Sequence, residues 1–249
     1  SNLQNPLYEI RNRFFRRDRK RLLQNVEVSY QVLDWLKLIG QYSMDLEFNN
    51  DENYTPKGYI TQNTPQGGLG SLSQTWRNKG AEIATLSAAA QKKFGNWNTQ
   101  AVLRYQFEKY LDEINNTSGS NFAVIDIPRF SALDPTTLNI TNSFTDIRAE
   151  NIFLNLGFDY KDKYILEGLV RRDGSSLFGE DEVYQIFSRG TAAYRLTEDF
   201  KIPGFQELKL RASYGTSGAR PRFEAQYETF GLSRGVATKS VLGNRLLKP

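Results

Sequence analysis

The sequence predicts an all-β fold, an antiparallel transmembrane β-barrel segment, and three observations carry that expectation. Long stretches alternate apolar and polar residues, the signature of strands with two unlike faces. The longest, Leu36 to Phe48, holds its phase far enough to cross a bilayer as a tilted strand of about 9–11 residues and project beyond it. A soluble sandwich strand is nearer 5 or 6 residues. Short and long polar connections then alternate along the chain, which is how outer-membrane barrels distribute periplasmic turns and extracellular loops.

Composition agrees. Aromatic residues make up 13% of the 249 residues, led by Phe and Tyr, in a background rich in Thr, Asn, Gly and Ser. The chain has no histidine and no cysteine. That removes Ser-His-Asp triads, thiol nucleophiles, His-ligated metals, zinc knuckles and iron–sulfur sites, so neither an enzyme nor a cofactor is expected. The lack of disulfides is compatible with any compartment. No run of 18 apolar residues exists, which excludes a transmembrane helix but not a barrel strand. The negative mean hydropathy is therefore uninformative. No secretory-signal pattern opens the chain before Val26.

The elements follow in order. Arg11, Arg13, Arg16, Arg17, Arg19, Lys20 and Arg21, interrupted by Phe14, Phe15 and Asp18, read either as a nucleic-acid or anionic-lipid patch or as a solvated loop or lumen-facing strand. The brief aromatic interleaving and a net charge of only +4 favour the second, and no nucleic-acid partner is expected. Val26, Val28, Tyr30 and Val32 alternate with Glu27, Ser29 and Gln31, and after a short turn at 33–35 the long Leu36–Phe48 alternation begins. Residues 49–80 read as a long loop; its Gly67-Gly68-Leu69-Gly70 lacks the spacing and Lys-Ser/Thr of a phosphate loop.

Ala81 to Phe94 fits a helical face through Ile83, Leu86, Ala90 and Phe94, yet the tight Gly95-Asn96 turn leads straight into a clean strand from Trp97 to Phe107. That strand needs an antiparallel neighbour, which makes 81–94 a strand. A second long loop is expected at 111–147, holding an apolar stretch from Phe122 to Ile127 stopped by Pro128. Ile152 to Tyr160 alternates, Lys161-Asp162-Lys163 turns the chain, and Tyr164 to Arg172 returns before a third long loop at 172–184. A connection over 196–206 precedes a last clear alternation from Glu207 to Tyr214, and a further strand is placed loosely around 226–232.

The wording of these segments is as informative as their period. Tyr164-Ile165-Leu166-Glu167, Arg171-Arg172-Asp173-Gly174-Ser175-Ser176-Leu177-Phe178-Gly179 and Leu208-Lys209-Leu210-Arg211-Ala212-Ser213-Tyr214-Gly215-Thr216-Ser217-Gly218 closely resemble the barrel of SusC/RagA-type TonB-dependent outer-membrane transporters. The resemblance extends to Asp34-Trp35-Leu36, Gln226-Tyr227-Glu228-Thr229 and Leu242-Gly243-Asn244-Arg245-Leu246-Leu247-Lys248-Pro249, and departs at Ser188 and Gly190. It implies a barrel of about 22 strands, of which this chain is one part without the N-terminal plug. It also implies location in the cell outer membrane, contact with TonB through the absent N-terminal region, a SusD-like surface lipoprotein as partner, and uptake of oligosaccharides or peptides. The competing reading is a soluble or surface-attached β-sheet domain that binds glycans without transport.

On the barrel reading Leu36, Leu38, Tyr42, Met44, Leu154, Leu156, Phe158, Leu208 and Leu210 face outer-membrane lipid, while Lys37, Gln41, Asp45, Asp159, Lys209 and Arg211 face the lumen. Charge on the lipid face costs kilocalories at mid-depth, whereas a wetted lumen accepts it. Tyr30, Trp35, Trp97, Tyr160, Tyr164 and Tyr194 lie near short connections and are candidates for an interfacial aromatic girdle. Tyr54, Tyr59, Trp76 and Phe122, all in expected loops, are candidates either to stack on a substrate or to pack within those loops. Arg171, Arg172 and Asp173 read as a loop-anchoring charge cluster, and Glu180-Asp181-Glu182 as a solvated acidic run rather than a calcium site.

Overall fold

A computed structural model describes residues 6–60, 67–178, 183–218, 229–233 and 236–241. A short helix, α1 (Pro6–Asn12), precedes ten strands: β1 (Phe14–Leu33), β2 (Leu36–Thr55), β3 (Ser71–Phe94), β4 (Trp97–Ser120), β5 (Asn139–Tyr160), β6 (Tyr164–Ser175), β7 (Tyr184–Arg195), β8 (Lys209–Gly215), β9 (Thr229–Ser233) and β10 (Val236–Val241). The first eight form one sheet in which every strand lies beside its neighbour in sequence. β9 and β10 pair antiparallel with each other. Residues 226–228, 180–182 and 242–249 of the sequence reading lie outside the described residues.

The tight turns follow from their residues. Tyr160 pairs with Tyr164 across Lys161-Asp162-Lys163, with Lys161 and Asp162 both at φ 55. Two successive left-handed residues give the twist that joins antiparallel strands without splaying them, and aspartate tolerates that conformation better than most side chains. Gly95 opens the β3–β4 turn at φ 57. Residues 81–94 fall inside β3, so the turn and its partner strand outweigh the helical spacing. The ladder also runs unbroken through Ser188 and Gly190, which pair with Val170 and Gly168.

The strands are longer than their alternation. Expected loops at 49–80, 111–147 and 172–184 shrink to connections at 56–70, 121–138 and 176–183, because β2, β4 and β6 continue through polar residues to Thr55, Ser120 and Ser175. A ladder is held by main-chain hydrogen bonds, which are indifferent to which side chains are apolar. The last alternation, read from Glu207, differs in the other direction: β8 begins at Lys209, and Leu208 precedes it, accepting from Leu196 N–H at 2.8 Å and donating to Thr197 Oγ1 at 3.3 Å.

The residues divide into two compact units. One comprises Ser1–Leu23, Asp45–Ala81 and Tyr110–Asp146. Its core is Tyr54, Leu72, Phe122 and Leu133, with Phe130 and Ala132 packed against it. Tyr54 meets Phe122 edge-on at 5.6 Å between ring centroids, and Phe14 lies 5.1 Å from Tyr54. The connections 56–70 and 121–138 are tied by main chain: Phe122 N–H donates to Leu69 O at 2.8 Å and Asn121 N–H to Gly70 O at 3.1 Å. Gly70 has φ +78, and a Cβ there would stand 2.7 Å from Lys57 N and 2.8 Å from Phe122 Cδ2, so only glycine fits this knot.

The second unit comprises Gln24–Met44, Glu82–Lys109 and Ile147–Pro249. Among the described residues its buried hydrophobic side chains are few (Ala149, Leu177, Phe178 and Ala193), and large apolar side chains such as Val28, Leu103, Leu166 and Leu210 are exposed along one face. That is the pattern of a sheet whose apolar face meets something other than its own core.

Candidate functional site

The functional surface of a wall is its two faces, and register assigns each residue to one. On β5 to β8 the apolar face carries the rows Leu154–Val170, Leu156–Gly168–Gly190–Tyr214, Phe158–Leu166–Ala192–Ala212 and Tyr160–Tyr164–Tyr194–Leu210. The opposite face carries Asp159, Glu167, Arg171, Lys209 and Arg211. Side chains alternate across a strand, so one residue of slip inverts the whole set. On β2 the even positions Leu36, Leu38, Tyr42 and Met44 hold the same parity, while Gln41 and Ser43 meet Asn25 and Asp45 meets Arg21 on the other side. Lys37 shares the parity of Gln41 and is exposed.

One end of the apolar face is bounded by a continuous aromatic row. Trp97, Tyr160, Tyr164 and Tyr194 come from four successive strands, the first three beside tight turns and Tyr194 at the end of β7, with ring centroids 4.6, 6.5 and 5.1 Å apart. Lys161 lies over Tyr160, and Lys163 over Tyr164 and Tyr194. Tyr194 Oη donates to Asp199 at 2.6 Å, and Lys163 also pairs with Asp199, so the row is fastened to the following connection. Trp35 lies in the β1–β2 turn under Lys92, and Tyr30 is exposed on β1. At the other end the apolar run gives way to Glu82, which accepts from Tyr42 Oη at 2.9 Å, and to Arg172, whose guanidinium lies 3.7 Å over Tyr184.

The polar face is held by ion pairs. Arg17 makes a two-pronged contact with Asp51 at 2.9 Å, Arg21 with Asp45 at 2.7 Å and Arg77 with Asp112 at 2.6 Å. The basic cluster is thus mainly strand, with Arg17, Arg19 and Arg21 on one face. Sequence reading missed the Arg17–Asp51 and Arg77–Asp112 pairs because Asp51, Arg77 and Asp112 sit in segments taken as loop, and it placed Asp45 on the polar face without its partner. The available signal was opposite charge at matching parity across the β1–β2 and β3–β4 turns. Arg171 bridges to Asp173 at 2.7 Å and lies 5.2 Å from the Phe187 ring, an anchoring role for the buried Asp173.

The four stacking candidates separate. Tyr54 and Phe122 are buried in the loop core, and Tyr59 is buried against Tyr8 at 5.2 Å, so these rings are occupied by packing. Trp76 is exposed, but it shares the parity of Gly80, whose open side is filled by Leu46 Cδ2 at 3.3 Å. That is the apolar-side face, opposite Arg77 and Asp112. Among the described residues no group of three or more acidic side chains is placed to hold a metal ion.

One titration follows from the loop geometry. Asp134 caps the short helical turn at Pro135–Thr137, accepting from Thr136 Oγ1 at 2.7 Å and Thr136 N–H at 2.9 Å, and these bonds hold its carboxyl below the usual carboxylate range. A depressed carboxylate stabilises the fold above its unfolded pKa, and that contribution is lost as pH falls through the folded value. With the intrinsic pH dependence of exchange divided out, the amide protection of 121–138 should therefore fall several-fold between pH 6 and pH 3, and Asp134→Ala should show the lower protection already at pH 6. A loop equally protected at both pH values and in the variant would contradict this.

The profile of the family described as "TonB dependent receptor-like, beta-barrel" matches residues 2–249. TonB-dependent receptor P26 of Formosa agariphila is 32% identical across 49% of this chain and 14% of its own length. TonB-dependent receptor P3 of the same organism is 22% identical over 225 residues, 89% of this chain and 22% of its own. The chain thus spans less than a quarter of these curated relatives. Among solved structures, the RagAB peptide transporter superposes with a TM-score of 0.86 at 16% identity, over 97% of this chain and 28% of that one. The RagAB peptide importer in its open-open state gives 0.85 at 16% identity, over 98% and 27%. With a two-faced antiparallel sheet, an aromatic row at its turn end and a family profile matched along nearly its whole length, the chain belongs to the TonB-dependent receptor β-barrel family.

Proposed function

We propose that this chain supplies part of the barrel wall and extracellular loops of a SusC/RagA-type transporter that takes up oligosaccharides or peptides across the outer membrane, powered through TonB. Leu36, Leu38, Tyr42, Met44, Leu154, Leu156, Phe158 and Leu210 face lipid; Lys37, Gln41, Asp45, Asp159, Lys209 and Arg211 face the lumen. The observation that carries this reading is the division of the β5–β8 faces, with the charged Asp159, Glu167, Arg171, Lys209 and Arg211 all opposite the rows from Leu154–Val170 to Tyr160–Tyr164–Tyr194–Leu210, together with the contiguous aromatic row Trp97–Tyr160–Tyr164–Tyr194. Amphipathic rings gather where hydrocarbon meets water. From Tyr160 to Ile152 the apolar run of β5 rises roughly 20 Å at a tilt near 40°, and Glu150 follows, which matches an apolar band of about 25 Å. A SusD-like lipoprotein at the loops and TonB at a plug-bearing region complete the machine.

The test is membrane partition. Cells producing the complete protein are fractionated, and the outer membrane is extracted with detergent. The expected result is a heat-modifiable, β-rich species found only in that fraction. A monodisperse species in detergent-free buffer would sink the transporter reading.

A further inference from the structure

We propose that the outward face of β4 to β6 holds a phosphorylated lipid headgroup of the outer leaflet, anchored by Lys109 and Arg172 on either side of Arg148. The inference rests on the lipid-facing assignment above and adds a specific lipid contact to it.

Register places the cations. Lys161 N–H donates to Asn96 O at 2.9 Å, a Cβ on Gly157 would meet Gln100 Nε2 at 2.5 Å, and Asn142 bonds Asn115. These contacts imply the same offset between β4 and β5 near both ends, which sets Lys109 directly across from Arg148. Arg172 pairs with Ile152 on β5 and Ile186 on β7. It therefore shares the apolar-side parity of Leu154 and Leu156. By strand spacing, Arg172 stands roughly 14 Å from Arg148, within joint reach of two long side chains and a branched headgroup.

The level matters as much as the face. Lys109 follows the apolar series Trp97 to Phe107 on β4, and Arg172 follows Tyr164 to Val170 on β6. Arg172 closes the apolar series of β6, and Lys109 interrupts that of β4 between Phe107 and Leu111, both away from the aromatic row. Of the carboxylates of this face, Glu82 accepts from Tyr42, Asp146 and Glu150 flank Arg148 along β5, and Glu150 stands across from Gly174 beside Arg172. Lys109 and Arg172 make no ion pair among the described residues, and the Arg172 guanidinium lies 3.7 Å over the Tyr184 ring. A cation beside hydrocarbon is stabilised by a counter-charge that the membrane itself presents. A phosphate at the headgroup level provides one and accepts the fork of an arginine.

The experiment uses the full-length transporter purified in detergent and mixed with a bisphosphorylated glycolipid or its dephosphorylated form, bound lipid being counted by native mass spectrometry. The wild type should retain the phosphorylated form preferentially. The double variant Lys109→Gln/Arg172→Gln should bind it roughly 30-fold more weakly, and Lys109→Arg/Arg172→Lys should restore binding. Heat-modifiability of each variant reports assembly separately, so loss of the barrel is not mistaken for loss of the lipid. Equal retention of both lipid forms by the wild type, unchanged retention in an assembled double variant, or displacement by inorganic phosphate at equal concentration would each overturn the proposal. Failure of the wild type to enter the membrane fraction would instead overturn the transporter reading beneath it.

Discussion

Leu156→Arg should lower the folding equilibrium of the complete barrel by roughly 30- to 900-fold, whereas Thr191→Arg, on the other face beside the same row, should leave it nearly unchanged. Leu156 lies across from Gly168, in line with Gly190 and Tyr214, about 10 Å from the Tyr160 level on a tilted strand, which is close to the middle of the apolar band. Arginine at that depth costs about 2–4 kcal/mol. Gly168 and Gly190 have nothing within 4 Å of a notional Cβ, so the new side chain has room and the cost is desolvation, not overlap. Thr191 pairs with Glu167 and Ser213 on the polar face, where an arginine gains a carboxylate neighbour. The measurement is a urea titration in lipid vesicles with the folded fraction read by heat-modifiability. Equal loss for both variants, or none for either, would remove the lipid assignment of this face.

That comparison also shows which parts of the architecture were legible beforehand. Alternation exists only where a strand has unlike environments on its two sides, so it reports the band and not the strand. Leu36 to Phe48 was readable; Asn49 to Thr55, in the same strand, was not, because both of its faces are polar and its pairing is held by contacts such as Arg17–Asp51. Ala81 to Phe94 was readable only through its turn and partner, since alanine stretches carry no period strong enough to separate helix from strand. The stacked aromatics were visible as residues near short connections, but their contiguity depends on register across four strands. For Tyr54, Tyr59 and Phe122 the sequence offered packing beside substrate stacking but not the packing partners, which come from β2, α1 and the connections on either side of β3 and β4; non-local packing leaves no local pattern.

The same non-local packing gives the second large effect. Phe122→Ala should unfold the paired connections while the membrane strands still assemble. Phe122 is 2% exposed, touches Tyr54 edge-on and donates its N–H to Leu69 O, so truncation empties the centre of the Tyr54–Leu72–Leu133 core. Removing a buried phenyl ring costs about 3–5 kcal/mol, and this cluster has few other apolar members to absorb the void. The loss should appear as fast amide exchange and new protease cuts in 56–60 and 121–138, with heat-modifiability retained. Trp76→Ala, exposed on β3, should change neither by more than about 0.5 kcal/mol. Uptake by cells carrying Phe122→Ala should fall if substrate or lipoprotein contact requires ordered loops. Should the variant instead lose barrel assembly together with its loops, the loop core would be a folding nucleus for the wall. Its conformation would then be coupled to the membrane sheet, not merely carried by it.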